Sequence, residues 1–247
     1  NMSDFLLILM QILAAVQVAQ HLCGFVHWDL TPWNIMIRES EIKTTTEYLL
    51  EYSMLISVTS RFTPVLIDYG KSHVIGSDGR HHGFINMFKM STCQDMVNLL
   101  VTSISAILDR EQRLDQKDLG TIFYLANFLS GTGYREDPFK TVADVKWFLR
   151  GARKYDNMIN TCKFELEKSR PYNLMNYIMA KTYGYPILNN VELVLSPTSI
   201  SNNTENMGNP RQVFEYAFCS SDTERLSTYT DCCKRLKNCT LPQPDNR

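Results

Sequence analysis

Residues 25–37 read FVHWDLTPWNIMI, and the assignment of the fold turns on this stretch. His27, Asp29 and Asn34 stand at fixed offsets, with Phe25-Val26 before them and Ile35-Met36-Ile37 after. Polar side chains bracketed by apolar runs describe a loop whose flanks are anchored in a core. Ile35–Ile37 reads as a short buried strand. Val65–Ile67, just after Pro64, reads as a second one that ends in Asp68-Tyr69-Gly70.

On the N-terminal side, Phe5, Leu9, Ile12, Val16, Ala19 and Cys23 recur at three- and four-residue steps and make one apolar stripe on a helix. Ser3 is a candidate cap for that helix, and Gly24 supplies the residue that ends it. Gln11, Gln17, Gln20 and His21 interrupt the run, so it reads as a buried core helix and not as a membrane span or signal peptide.

On the C-terminal side, Arg38–Thr63 is too long for a hairpin turn and reads as a rim insertion with a helical Glu47–Ser57. Lys71–Met90 carries Gly76, Asp78-Gly79 and Gly83 and reads as an irregular loop. Its His73, His81 and His82 are read as ordinary polar loop residues, because no cysteine or carboxylate spacing around them suits zinc.

A helix opens at the Ser91/Gln94 capping box and carries Met96, Val97, Leu99, Leu100, Ile104 and Leu108. Further helices are expected over Leu119–Leu129, from Val142 to about Tyr155 behind a Thr141/Asp144 box, and over Tyr172–Tyr183. Val191–Leu195 reads as a strand, Ser196–Pro210 as a polar linker, and the remainder to Arg247 has no clear period beyond a short helix at Arg211–Cys219.

The 247 residues suffice for one sizeable core. With 25 basic and 26 acidic residues, charge points to neither nucleic acid nor a membrane surface as partner. Seven cysteines without a C-x-x-C, three of them at Cys232, Cys233 and Cys239, fit reduced intracellular thiols, so the sequons at Asn202 and Asn238 are expected to carry no glycan. Lys146, Arg150, Arg153 and Lys154 read as a solvated basic helix face.

Phosphoryl transfer asks a protein mainly to orient the attacking hydroxyl and to hold magnesium on the phosphates. Carboxylate and amide oxygens suit that hard cation. Asp29 precedes Asn34 by five positions, and Asp68 follows the second strand; together with a capped helix carrying Asp95, this order resembles the C-terminal lobe of the eukaryotic-type protein kinases, whose pattern is H-R-D-L-x-x-x-N and then D-F-G. The Lys71–Met90 loop, with its KSHV and HHGF runs, loosely resembles kinase-like proteins of large DNA viruses.

The resemblance implies a mainly α (α+β overall) fold: a helical kinase-like C-terminal lobe over residues 1–185, with a short strand pair beside the catalytic loop, a 38–63 insertion, and a partly disordered extension over 186–247. It implies Asp29 as catalytic base and Asn34 and Asp68 as ligands of magnesium on ATP. By the same likeness Asp95, His27 and Gly70 support the loop, and the product is a phosphorylated hydroxyl on a protein Ser or Thr. An intracellular setting follows, the host cytoplasm if the protein is viral.

Trp28 stands where many family members have an arginine, Thr31 where Ser/Thr kinases place a lysine, and no A-P-E precedes Ser91. Only 26 residues precede His27, so the glycine-rich loop, V-A-I-K lysine and helix glutamate of an ATP-binding N-lobe are expected upstream, in a longer protein of which this chain is a fragment. The alternatives are a small-molecule kinase of the aminoglycoside or choline phosphotransferase type and a pseudokinase scaffold.

Overall fold

Helix α1 (Met2–Cys23) is apolar on nearly every side, and a helix of that kind must be enclosed. By length and composition it also qualifies as a membrane span. Here Leu6, Leu9, Met10, Ile12, Leu13, Ala14 and Val16 are buried in the core. Two of the glutamines that break up its apolar run are also used inside: Gln11 Nε2 donates to the Phe62 carbonyl at 2.9 Å, and Gln17 Oε1 accepts the Tyr172 amide at 3.1 Å. The helix begins two residues earlier than Ser3 suggests, since the Asn1 side chain accepts the Asp4 amide at 2.9 Å. It ends at Gly24, whose φ of 57° is the left-handed cap that glycine supplies without strain.

This computed structural model describes residues 1–50, 54–83, 93–110, 114–130, 139–152, 170–181 and 190–195. After α1 come the loop and a 3-10 turn (Pro32–Asn34), then strands β1 (Ile35–Leu49) and β2 (Met54–Leu66). A second 3-10 turn (Tyr69–Lys71) leads to β3 (His73–Ile75) and β4 (His81–Gly83). Helices α2 (Gln94–Asp109), α3 (Gln116–Ser130), α4 (Val142–Ala152) and α5 (Pro171–Lys181) follow, and β5 (Val191–Leu195) completes the described chain.

The expected mainly helical lobe with only a short strand pair is corrected by the sheet. β1 and β2 are 15 and 13 residues long and pair antiparallel from Ile35↔Leu66 to Leu49↔Leu55, and β5 pairs antiparallel along the other edge of β2. The 38–63 stretch is therefore the body of a long hairpin, and the described part of Glu47–Ser57 is strand, not helix. The cause lies in a two-residue alternation: Ile56, Val58 and Ser60 are buried while their neighbours are less so, and Thr44, Thr45, Thr46 and Thr59 are β-branched. The register shifts between Glu39 and Thr44, where β1 carries extra residues opposite Arg61.

The strand ends nearest the loop also differ from expectation. Met36, Ile37 and Val65 are exposed, and only Ile35 and Leu66 turn toward the core. β5 lies beyond the boundary expected at 185 and joins the same sheet.

The helices behave closely to their sequence pattern. On α2, Met96, Val97, Leu99, Leu100, Ile104 and Leu108 are all buried, but the helix starts at Gln94 behind Cys93 and not behind the expected Ser91 cap, Ser91 itself lying outside the described residues. At α4 the Thr141/Asp144 box is closed in both directions, Asp144 N–H to Thr141 Oγ1 at 3.2 Å and Thr141 N–H to Asp144 Oδ2 at 2.9 Å. α3 and α5 are joined by stacked Tyr124 and Tyr177 rings 3.9 Å apart, each hydroxyl donating to the other's backbone carbonyl. The expected linker from Ser196, the Arg211–Cys219 helix and the cysteines of the tail lie outside the described residues.

If the hairpin is an integral wall of the core, Ile56→Ala destabilises the protein by about 2–5 kcal/mol in urea unfolding. Met36→Ala, at a position 60% exposed, changes stability by less than about 0.5 kcal/mol.

Candidate functional site

Asp95 occupies the first turn of α2, where the helix dipole favours a carboxylate, and it is fully buried. Its Oδ2 accepts the His27 amide at 2.7 Å and its Oδ1 the Trp28 amide at 2.9 Å. Burial pushes the carboxyl above the usual carboxylate range, while the two amides and the His27 ring pull the other way. This two-pronged grip holds Trp28 at φ 68°, a left-handed conformation that costs a non-glycine residue about 1–3 kcal/mol. Trp28 and Leu30 are themselves buried, so the loop is pinned on both sides of Asp29.

His27 faces the second strand. Its Nε2 lies 3.0 Å from the Ile67 carbonyl, which only accepts, so Nε2 carries the proton. Tyr69 packs against the same ring at 5.5 Å and donates its hydroxyl to the Leu66 carbonyl at 2.9 Å. The histidine is thus spent on fixing the turn, with its ring buried and away from solvent.

Asn34 closes the loop. Its Nδ2 donates to the Asp29 carbonyl at 2.8 Å, and its own carbonyl accepts the Ile67 amide at 3.0 Å. The Asn34 Oδ1 is left as an acceptor, and Asp68 follows one residue after the strand contact. Asp68 is exposed and takes φ 61°, turning the chain sharply into Tyr69-Gly70-Lys71. Gly70 lies against that carboxylate, since a Cβ there would sit 3.4 Å from Asp68 Oδ1.

Asp29, Asn34 and Asp68 stand near the Ile35↔Leu66 end of the β1–β2 hairpin, Asn34 being joined to the Asp29 carbonyl and to the amide of Ile67, the residue before Asp68. An amide oxygen on Asn34 and the Asp68 carboxylate are of the kind that a hard cation takes as ligands. Among the described residues no group of three His, Cys, Asp or Glu side chains could hold a metal by itself.

Sequence reasoning did not single out Lys71. Its Nζ lies 2.8 Å from Asp29 Oδ2, in an ion pair with Asp29 35% and Lys71 66% exposed. The signal was available only as the residue after D-Y-G, 42 positions from its partner.

The histidines of the 71–90 segment are also placed more specifically than their reading as ordinary polar loop residues implied. His73 exchanges backbone hydrogen bonds with Val26 at 2.8 and 2.9 Å, tying β3 to the loop, and its Nε2 meets His81 Nδ1 at 3.1 Å. One of these nitrogens donates and the other accepts, so a second proton disrupts the pair. Burial and then the neighbouring His81 charge lower the His73 pKa to about 4, and burial and His82 lower that of His81. Gly83 permits the close approach of β4, since at φ 90° a Cβ would meet the Ser72 carbonyl oxygen at 2.0 Å.

Two outcomes follow. Asp95→Ala leaves two buried amides without acceptors and costs about 2–6 kcal/mol, read by urea unfolding. A His73 pKa depressed from 6.5 contributes stability that is whole above pH 6.5 and is lost as pH falls toward about 4. The stability difference between wild type and His73→Asn therefore shrinks across that window; Asp95, whose shift has the opposite sign, is present in both proteins and cancels.

No family model matches the chain. It is similar to the uncharacterized protein 179R of Invertebrate iridescent virus 6, 31% identical over 266 residues that take in 97% of this chain and 21% of the relative. It is also similar to the uncharacterized protein 035R of Invertebrate iridescent virus 3, 26% identical over 252 residues, 97% of this chain and 22% of the relative. The chain spans about a fifth of the length of the curated relatives it matches.

Proposed function

We propose that this chain carries the acceptor-activating and metal-holding part of a phosphotransferase site that moves the γ-phosphate of ATP to a hydroxyl, with a protein Ser or Thr as acceptor. The observation that carries the reading is the closure of the loop: the Asn34 amide is locked to the Asp29 carbonyl, and the Asn34 carbonyl to the Ile67 amide beside Asp68. That arrangement holds Asn34 through its Nδ2 and its backbone carbonyl and so spares its side-chain oxygen, while one oxygen of the Asp29 carboxylate is met by Lys71 Nζ at 2.8 Å. The residue order H-x-D-x-x-x-x-N and then D-x-G agrees with the protein-kinase pattern.

In this reading Asp29, held by the buried residues around it, accepts the proton of the attacking hydroxyl. Its carboxylate is 35% exposed and so open to an acceptor. Asn34 Oδ1 and Asp68 hold magnesium, which supplies charge neutralisation on the phosphates when bound. Preorganisation falls to Asp95, which fixes the backbone of the loop before any substrate arrives. The setting is intracellular, where ATP and magnesium are abundant.

The test uses the full-length protein with magnesium, ATP and a generic Ser/Thr acceptor. Asp29→Asn is expected to lower kcat by at least about a hundredfold, the usual scale of a general base, without loss of folding. Magnesium–ATP at a hundred times its Kd raises stability by about 2.7 kcal/mol in a thermal-shift assay. A rate unchanged in Asp29→Asn sinks the assignment, and a protein with no magnesium-dependent nucleotide binding is a scaffold.

A further inference from the structure

Thr31 leaves the loop without the cation that the protein-kinase pattern places two residues after the aspartate, yet a phosphoryl group in transit carries charge on three oxygens that something must meet. The chain offers an ammonium from another direction. Lys71 ends the 3-10 turn that Asp68 opens, and the turn is closed by the Ser72 amide on the Tyr69 carbonyl at 2.9 Å. Asp68 and Lys71 therefore flank one short turn, and the Lys71 Nζ reaches 2.8 Å from Asp29 Oδ2 on the facing loop.

We infer that Lys71 is a catalytic residue that supplies the positive charge Thr31 withholds, by passing from Asp29 to the transferring phosphoryl group. The inference rests on the phosphotransferase reading above. Lysine suits the role because its ammonium is a compact point charge on a four-carbon stem, and the side chain is 66% exposed.

In the step itself the acceptor oxygen bonds to the γ-phosphorus as the bond from that phosphorus to the β–γ bridging oxygen breaks. The bonding pair leaves with the nucleoside diphosphate. The hydroxyl proton passes to an Asp29 carboxylate oxygen and later to solvent. Lys71 keeps its protons throughout and moves with the charge on the γ-oxygens.

Lys71→Met and Lys71→Arg in the full-length protein test this by three readings: kcat, the Kd ratio of magnesium–ADP to magnesium–ATP, and the melting temperature without nucleotide. Expected for Lys71→Met are a kcat lower by about a hundredfold, the scale of losing one charge-stabilising donor, and a preference for ATP over ADP lower by about tenfold. The melting temperature stays within about 2 °C of wild type, because an exposed pair contributes little to folding. Lys71→Arg, which keeps the charge, retains at least about a tenth of the wild-type rate.

A kcat within about threefold of wild type in Lys71→Met, while Asp29→Asn is dead, overturns the lysine assignment and leaves the phosphotransferase reading standing. So does an unchanged ATP-to-ADP preference, or a rate loss matched by a fall in melting temperature. A wild-type protein with no transfer activity overturns both.

Discussion

The Asp95 carboxylate, buried at the start of α2 and gripping the amides of His27 and Trp28, is the constraint on which the rest of the site depends. Each amide would otherwise be a buried donor without a partner, and the left-handed Trp28 would have nothing to offset its strain. From that grip a closed circuit runs outward. His27 reaches the Ile67 carbonyl, the Ile67 amide reaches the Asn34 carbonyl, and the Asn34 side chain returns to Asp29. The polar residues at the surface are therefore set by polar residues in the interior, and the helix and the hairpin are held in one relation by side chains and not by packing alone.

The same circuit explains why the loop tolerates a long excursion between its two strands. The Ile35↔Leu66 end of the hairpin is fixed by the loop, its stretch beside the register shift by Gln11 on the Phe62 carbonyl, and its far end by β5 along Met54–Val58 of β2. Helix α1 lies against β2 and α5, so the core is continuous from the first helix to the last described one.

What was legible in the sequence was what short spacing encodes. The helical span of α1, its glycine stop, the apolar face of α2, the Thr141/Asp144 box and the β5 segment each rest on residues a few positions apart and are found where expected, although α1 buries more than the single stripe its spacing suggested. The hairpin was missed because Arg38–Thr63 is mostly polar and exposed on β1, so only Ile56, Val58 and Ser60 carry the two-residue rhythm, and length argued for an insertion. The candidate residues Asp29, Asn34 and Asp68 could be named from their offsets. Their closure through the Ile67 amide, the left-handed turns at Trp28 and Asp68, the Lys71 pair and the His73–His81 contact could not, because each depends on partners brought together by the fold.

The bulge between Glu39 and Thr44 has a bearing on solubility. β1 is the outer strand of the β1–β2–β5 sheet, and such a strand presents unpaired backbone groups on which another chain could add. Here the register slips within that strand, with Arg38 and Glu39 leading into the slip and Glu41 and Lys43 placing charge within it. A flat template for strand addition is broken at its middle. A register slip of this kind makes the edge a poorer template for strand addition than a regular strand of the same length.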